Sequence, residues 1–387
     1  MTRFTINPVQ TLRKFSTALA FSILIVFYLS ARPLFPTASV SPLSTFRSEQ
    51  ETHNIVSAWE GEKEQEEEIP NIVHFAHLIP SSENSTGEKE IKFSFRNFVA
   101  IYSAHYHLQP ATIYIHTDAA PSTIANVKFS TDKYTKIIAN LPNVVFNHEV
   151  IDDATERGFK IRLMASKSDF LRTRVMRRWG GTYLDIDAYV IRDLTPLRKA
   201  GYKNVVGRQL DKKVACGTFM SVPGSDLVTA YNMLQPVVFN GEWTPHSVDL
   251  MTALAYDFSA RDKEVLILEH EAFFPGGWFP EDLALLYKAH DTDEGTVGNQ
   301  VRPRTGIEEY VQGFMLKTNR GWKYDWRASY VVHGWGNNMH GAEFEMNFGE
   351  FGGVTPRYVL EGNSNFGRAV YAAVKDAVDK GIIEIED

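Results

Sequence analysis

The run SDFLRTRVMRRWGGTYLDIDAYVIRDL, residues 168–194, restricts the fold more than any other stretch of the chain. Its first half reads as a helix over residues 166–179, with Ser168 able to cap its start and Leu171, Val175 and Trp179 on an apolar face. Asp169 and Arg172 are three apart, so they share one side of that helix. Gly180-Gly181 then stops it, because a glycine accepts the left-handed conformation that ends helices. The chain passes at once into a strand predicted over residues 182–191. Alternation on that strand puts Tyr183, Asp185 and Asp187 on one side and Leu184 and Ile186 on the other. Two neighbouring carboxylates on an otherwise apolar strand are costly unless a positive charge sits between them. Carboxylate oxygens suit hard cations, which typically take one or two carboxylates and complete their shell with substrate phosphates. A polar-faced surface strand is the competing reading. The glycine pair, the Asp169–Arg172 face and the apolar back of the strand favour a metal–diphosphate site.

Around this block, strand and helix signals alternate. Residues 71–78, 111–118, 143–150, 204–210 and 216–223 read as strands; residues 91–107, 225–238, 247–259 and 366–380 read as helices, the last stopped by Gly381. That order predicts an α/β body with a mostly parallel sheet. The polar segment 290–308 reads as a loop.

The N-terminal part is different. Residues 15–31 are seventeen positions without a charge, preceded by Arg3, Arg13 and Lys14 and followed by Arg32. As a helix they span roughly 26 Å, enough for a thin bilayer. The cations before the segment predict a cytosolic N-terminus. A cleaved signal peptide is the alternative, with Ala38 near a possible cut; the apolar run exceeds the usual length of such peptides. The expected organisation is a cytosolic tail over 1–14, a transmembrane signal anchor over 15–31, a flexible Pro/Ser/Thr-rich and acidic stem over 32–68, and a lumenal catalytic body over 69–387. A lumenal body would expose the sequon at Asn84. Lys plus Arg is 40 against 47 for Asp plus Glu, a net charge of −7, which argues against a nucleic-acid partner. The single cysteine, Cys216, excludes intrachain disulfides and thiolate metal clusters.

The pattern S-D-x-x-R…G-G-x-Y-x-D-x-D, formed by Ser168, Asp169, Arg172, Gly180, Gly181, Tyr183, Asp185 and Asp187, resembles the DXD-motif glycosyltransferase family 32, which includes Golgi mannosyl- and galactosyltransferases. NIVHF near residue 72 is similar to the family's first strand, and YVVHGWGNN (330–338) to its C-terminal His-x-Trp segment. The resemblance implies a GT-A-type, Rossmann-like mixed sheet with flanking helices. It also implies a nucleotide-sugar donor, a glycan or glycolipid acceptor, Mn2+ (or Mg2+), retention of anomeric configuration, and a type II protein of the Golgi or endoplasmic reticulum membrane. Carried over to this chain, Asp187 would bind the metal directly and Asp185 would contact donor and hydrated metal. Asp169, Arg172 and Tyr183 would lie on the donor side, and His333 would reach the metal or diphosphate from the C-terminal segment. His74 on the first strand would sit near the donor base or pack in the core. Two departures stand out: Gly336, Asn337 and Asn338 follow the His-x-Trp, and HSVDLMTAL (246–254) lacks the family's Gly-Pro.

Other residues read more simply. Arg174, Arg177 and Arg178 read as partly solvated helix charges, with diphosphate or anionic lipid as the alternative, and Cys216 as a small buried residue in preference to a nucleophile. Trp243, Trp278 and Trp322 are core or rim positions with stacking on sugar as the alternative. A second metal–phosphate chemistry, a nucleotidyltransferase or phosphohydrolase, would need further carboxylates, with Asp152 and Asp153 on offer. An inactive lumenal binding protein is the third reading.

Overall fold

A computed structural model describes residues 68–79, 90–290, 322–335 and 353–387. The anchor, tail and nearly all of the stem, the Asn84 sequon, residues 291–308 and the Gly336-Asn337-Asn338 departure lie outside the described residues. Among the described residues no helix is long and apolar enough to cross a membrane.

Within the unit Glu66–Asp387 the centre is a seven-stranded mixed sheet. Its strands are β1 (Ile72–Ala76), β2 (Thr112–Thr117), β3 (Val144–His148), β4 (Gly181–Leu184), β6 (Asn204–Arg208), β7 (Val214–Ser221) and β8 (Val265–Leu268); β5 (Ala188–Val190), between β4 and β6 in the chain, lies outside this sheet. The spatial order is β3-β2-β1-β4-β7-β6-β8. The β1–β2, β2–β3, β1–β4 and β6–β8 pairs are parallel, and β7 runs antiparallel to both β4 and β6. The C-terminal ends of β1, β2, β3, β4, β6 and β8 therefore share one edge. Strands β4 and β7 are buried along their whole length, as expected of continuous apolar runs covered on both faces.

Helices flank the sheet. Helix α1 (Phe95–Leu108) starts at Ser94, whose side chain accepts from Asn97 N while Asn97 answers the Ser94 N–H. Helix α2 (Met164–Trp179) starts earlier than its apolar pattern suggests, after Leu163. Ser168 is therefore not the cap; it lies inside the helix with its Oγ 3.3 Å from the Tyr183 hydroxyl. Helices α3 (Asp226–Val238) and α4 (Leu250–Phe258) follow β7, and α5 (Asn365–Asp379) closes the chain, stopped by Gly381 at φ 66°.

Gly180 and Gly181 take φ of 62° and 94°. A Cβ on Gly180 would lie 2.6 Å from Pro223 N, and one on Gly181 2.6 Å from Ile72 O. Both the backbone and the space require glycine there.

The expected single strand over 182–191 is two. The chain leaves the sheet after Leu184, turns at Asp185–Asp187 with Ala188 N donating to Asp185 O at 2.8 Å, and resumes as β5. β5 pairs antiparallel with β9 (Val331–His333) in a separate ribbon. The carboxylates thus share a turn, not one face of a strand. The cause is partner choice: β7 supplies a partner up to Leu184, and β9 takes over from Ala188. Ile186 remains inward-facing, at 8% exposure.

Candidate metal and donor site

The turn at the end of β4 gathers the site. The Asp185 amide donates to Gly217 O at 2.8 Å, which ties the turn to β7. The β5–β9 ladder places His333 opposite Ala188, and Gly334 N donates to Asp187 O at 2.8 Å. His333 is thereby brought beside both aspartates. Its Nε2 lies 3.5 Å from Asp185 Oδ2 and 3.5 Å from Asp187 Oδ1. One ligand atom from each of the three falls within 4.8 Å of the others. Two carboxylates and an imidazole converging on one point fit a divalent cation, and the imidazole favours Mn2+ over Mg2+.

Behind this group sits Arg172. Its Nη2 donates to Asp185 Oδ1 at 2.9 Å, and its Nη1 donates to Cys216 Sγ at 3.0 Å and lies 3.3 Å from Asp169 Oδ1. The guanidinium stands 4.8 Å from the Tyr183 ring centroid, while the Tyr183 hydroxyl donates to Asp185 Oδ1 at 3.0 Å. Arg172 and Asp169 are only 5% and 3% exposed. Asp169 Oδ2 in turn faces His246 Nε2 at 3.2 Å. The site is thus one connected line of polar side chains from His246 to His333.

Burial pushes the Asp185 carboxyl up, but the Arg172 guanidinium, with His333 and Tyr183, holds it below the usual carboxylate range. Asp185 is therefore ionised beside Asp187 without a metal, because α2 supplies the positive charge that the local sequence lacks. Burial pulls His333 down, and the Asp187 and Asp185 carboxylates more than reverse this, so its imidazole is held above its ordinary value. Burial pushes the Cys216 thiol up to about 12, so it stays a thiol that accepts from Arg172 and donates to Asp169 Oδ1, and it is no nucleophile.

His74 is fully enclosed. Its Nε2 meets Gly180 O at 2.9 Å and its Nδ1 meets His116 Nε2 at 3.0 Å. Its ring stacks with Tyr114 and Trp179. Burial and the neighbouring His116 bring its pKa down to about 3. Asp153 pairs with Lys167, on the surface. Arg174 pairs with Glu149, and Arg178 lies over Trp179.

Sequence reasoning passed over four residues here. Gly217 leaves room for the site, since a Cβ there would stand 2.5 Å from Asp185 Oδ2 and 3.0 Å from His333 Nε2. Gly334 fits under Tyr287 and Tyr189, where a Cβ would lie 2.6 Å from the Tyr287 hydroxyl. Arg96, in the first turn of α1, is kept charged by Tyr189, Tyr287 and Asp187 against the effect of burial. His246 opens the segment 246–254, read only for its lack of the family's Gly-Pro. No local signal marks these residues; each gains its role from a chain neighbour remote in sequence.

Residues 96–206 match the family described as "Glycosyltransferase sugar-binding region containing DXD motif". The chain is 27% identical over 236 residues to "Glucan organizing enzyme 1" of Cryptococcus neoformans var. grubii, a match covering 58% of this chain and 58% of that protein's length. Among solved structures it is similar to the apo-form glycosyltransferase GlyE of Streptococcus pneumoniae TIGR4, with 11% identity, TM-score 0.38, and 82% of this chain and 65% of that one covered. It is also similar to the galactosyltransferase LgtC in complex with donor and acceptor sugar analogs, with 14% identity, TM-score 0.33, and 73% and 97% covered. TM-scores this low leave the assignment to the sequence match. That match contains Asp169, Arg172, Asp185 and Asp187, the residues the fold gathers with His333. Residues 96–206 are thus similar to the sugar-binding region of glycosyltransferases that contain a DXD motif.

Proposed function

We propose that the chain is a GT-A-type, metal-dependent hexosyltransferase. It moves a hexose from a nucleoside diphosphate sugar to a hydroxyl of a glycan or glycolipid acceptor. The observation that carries this reading is the convergence of Asp185, Asp187 and His333 at the C-terminal end of β4, inside and beside the DXD region. In open α/β sheets ligands bind outside the carboxyl ends of strands, where the strand order reverses. β4 is that place here, between β1 and β7.

Asp185, Asp187 and His333 would hold Mn2+ (or Mg2+), which supplies a counter-charge for the leaving diphosphate. The chain's own residues do the rest. Arg172 fixes the Asp185 carboxylate and adds positive charge behind the site. Asp169 keeps Arg172 in place. The acceptor oxygen forms a bond to the anomeric carbon as the bond from that carbon to the diphosphate oxygen breaks. The bonding pair leaves with the nucleoside diphosphate, and the hydroxyl proton passes to the departing phosphate oxygen. Stabilisation of the charge developing on that oxygen is the main catalytic contribution. Retention of configuration, by same-face attack, is part of the proposal and rests on the family resemblance.

Residues 15–31, apolar and preceded by cations, are proposed as the anchor of a type II protein in the Golgi or endoplasmic reticulum membrane. Resistance of the membrane-bound protein to alkaline extraction supports the anchor; release of a soluble body overturns it.

The test of function is a panel of UDP- and GDP-sugars, each assayed for sugar release with Mn2+ and with EDTA. Metal-dependent release from one donor supports the reading. No release from any donor, or equal release in EDTA, overturns it.

A further inference from the structure

We propose that Trp278, Phe279 and Trp335 form the acceptor subsite, a stacking surface for a hexopyranose ring beside the metal ligand His333. The inference rests on the glycosyltransferase reading above.

The three rings continue the site outward. The Trp335 ring centroid lies 4.3 Å from that of His333. Trp278 meets Trp335 edge-on at 5.2 Å, and Phe279 stacks on Trp278 at 5.6 Å. Buried Phe274 backs the group, 5.5 Å from His333 and 6.0 Å from Trp335. Exposure rises along the row: His333 is buried, Trp335 and Trp278 are half-buried, and Phe279 is 39% exposed. The shelf therefore runs from the reacting centre to solvent.

It is also held in place. The Trp335 indole N–H donates to Gly276 O at 3.2 Å, so the polar edge of that ring is turned inward. Trp335 has φ of 53°, a left-handed backbone that a bulky residue adopts only under constraint from its surroundings, and such residues gather at ligand sites. Gly277 is packed against Leu210, just beyond β6, where a Cβ would stand 2.9 Å from Leu210 Cδ1. The loop is thus seated on the sheet edge that carries Asp185.

Topology then separates the two substrates. The DXD region, residues 96–206, takes in β2, β3 and β4, which with β1 make one half of the sheet, then the ribbon strand β5, and ends at the start of β6. The aromatic loop follows β8, at the opposite end of the sheet, and meets the site edge there because β8 runs parallel to β6. It lies outside the matched sugar-binding region, and Trp335 joins it through β9. A second substrate must bring its hydroxyl to the metal from the side that the nucleotide leaves open. Aromatic faces recognise the apolar C–H face of a pyranose, and aromatic side chains with one polar edge are common in ligand clefts.

The test uses the full chain with Mn2+, the UDP- or GDP-sugar it hydrolyses, and methyl glycosides and short oligosaccharides of glucose, galactose and mannose as acceptors. Trp278→Ala is expected to raise the acceptor KM at least tenfold with the donor KM within twofold of wild type, and Trp278→Phe to recover most of the loss. Phe279→Ala should act in the same direction, more weakly. An unchanged acceptor KM overturns the proposal, as does a donor KM that rises in parallel. Absence of donor hydrolysis in the wild type would instead overturn the glycosyltransferase reading. The shelf is then judged by tryptophan fluorescence: saturable quenching by the same saccharides, lost in Trp278→Ala, upholds it, and no quenching overturns it. Binding to phosphatidylcholine vesicles lost in Trp278→Ala, with saccharide quenching unchanged, assigns the rings to a membrane surface and also overturns it.

Discussion

Gly217 on β7 faces Asp185 so closely that a single added methyl would stand 2.5 Å from the carboxylate Oδ2. The same methyl would stand 3.0 Å from His333 Nε2. Gly217→Ala must therefore displace two of the three proposed metal ligands. Overpacking of this kind costs about 1–3 kcal/mol. We expect a drop in Mn2+ affinity of at least tenfold with only a modest fall in Tm, read by calorimetric titration and thermal unfolding. Unchanged affinity would show that the ligands do not need this space.

Asp185 and Asp187 should respond differently to the same change. Asp187→Asn removes a charge that faces His333. Asp185→Asn also takes the charge partner from the buried Arg172. Loss of one member of a partly buried pair costs about 1–3 kcal/mol here, the carbonyl oxygen still accepting a hydrogen bond. Both variants should lose metal-dependent turnover by several orders of magnitude, and Asp185→Asn should in addition be less stable than wild type without metal, because Arg172 loses its carboxylate. A wild-type Tm for Asp185→Asn in EDTA would contradict the role given to Arg172.

His333 ties stability to pH. Its folded pKa is raised, so its charged form stabilises the metal-free chain in full below about pH 6.5, and that gain is lost as pH rises through the folded value. Asp185 is held low, so its contribution is present above about pH 3.9 and lost as pH falls through its folded value. The Tm difference between wild type and His333→Asn in EDTA should be largest near about pH 6 and shrink as pH rises. Mn2+ must displace the His333 proton, so wild-type affinity should rise over the same interval. A flat Tm difference would remove the link.

His74 acts in the opposite sense. Its pKa of about 3 keeps it neutral in the fold, while the unfolded chain takes up its proton below about pH 6.5. Stability is therefore lost as pH falls from there towards about 3. His74→Asn should reduce the slope of unfolding free energy against pH over this range by up to about one proton, measured by urea titration at several pH values. An unaltered slope would mean that His74 is protonated in the fold.

Much of the architecture was legible because it is local. The glycine pair, the apolar face of α2 and the β-branched runs depend on neighbours a few residues away, and the elements appear where those signals stand. The Asp-x-Asp was legible as chemistry for the same reason, since two carboxylates so close need a counter-charge wherever the chain places them. Its conformation was not. A strand continues only while a partner is beside it, and the change of partner from β7 to β9 is a long-range event that no window of sequence contains.

The sequence by itself determined the helix–glycine–strand block, the acidic pair, and the presence of Arg172 one helix away. Only the tertiary structure decided that Asp185 and Asp187 share a turn, that Arg172 grips Asp185 from behind, and that β9 brings His333 between the carboxylates. It also decided that Gly217 and Gly334 must stay without side chains. The reason is physical: propensity and periodicity act along the chain, whereas charge pairing, ladder exchange and the space left for an ion are set by atoms that meet only after the chain has folded.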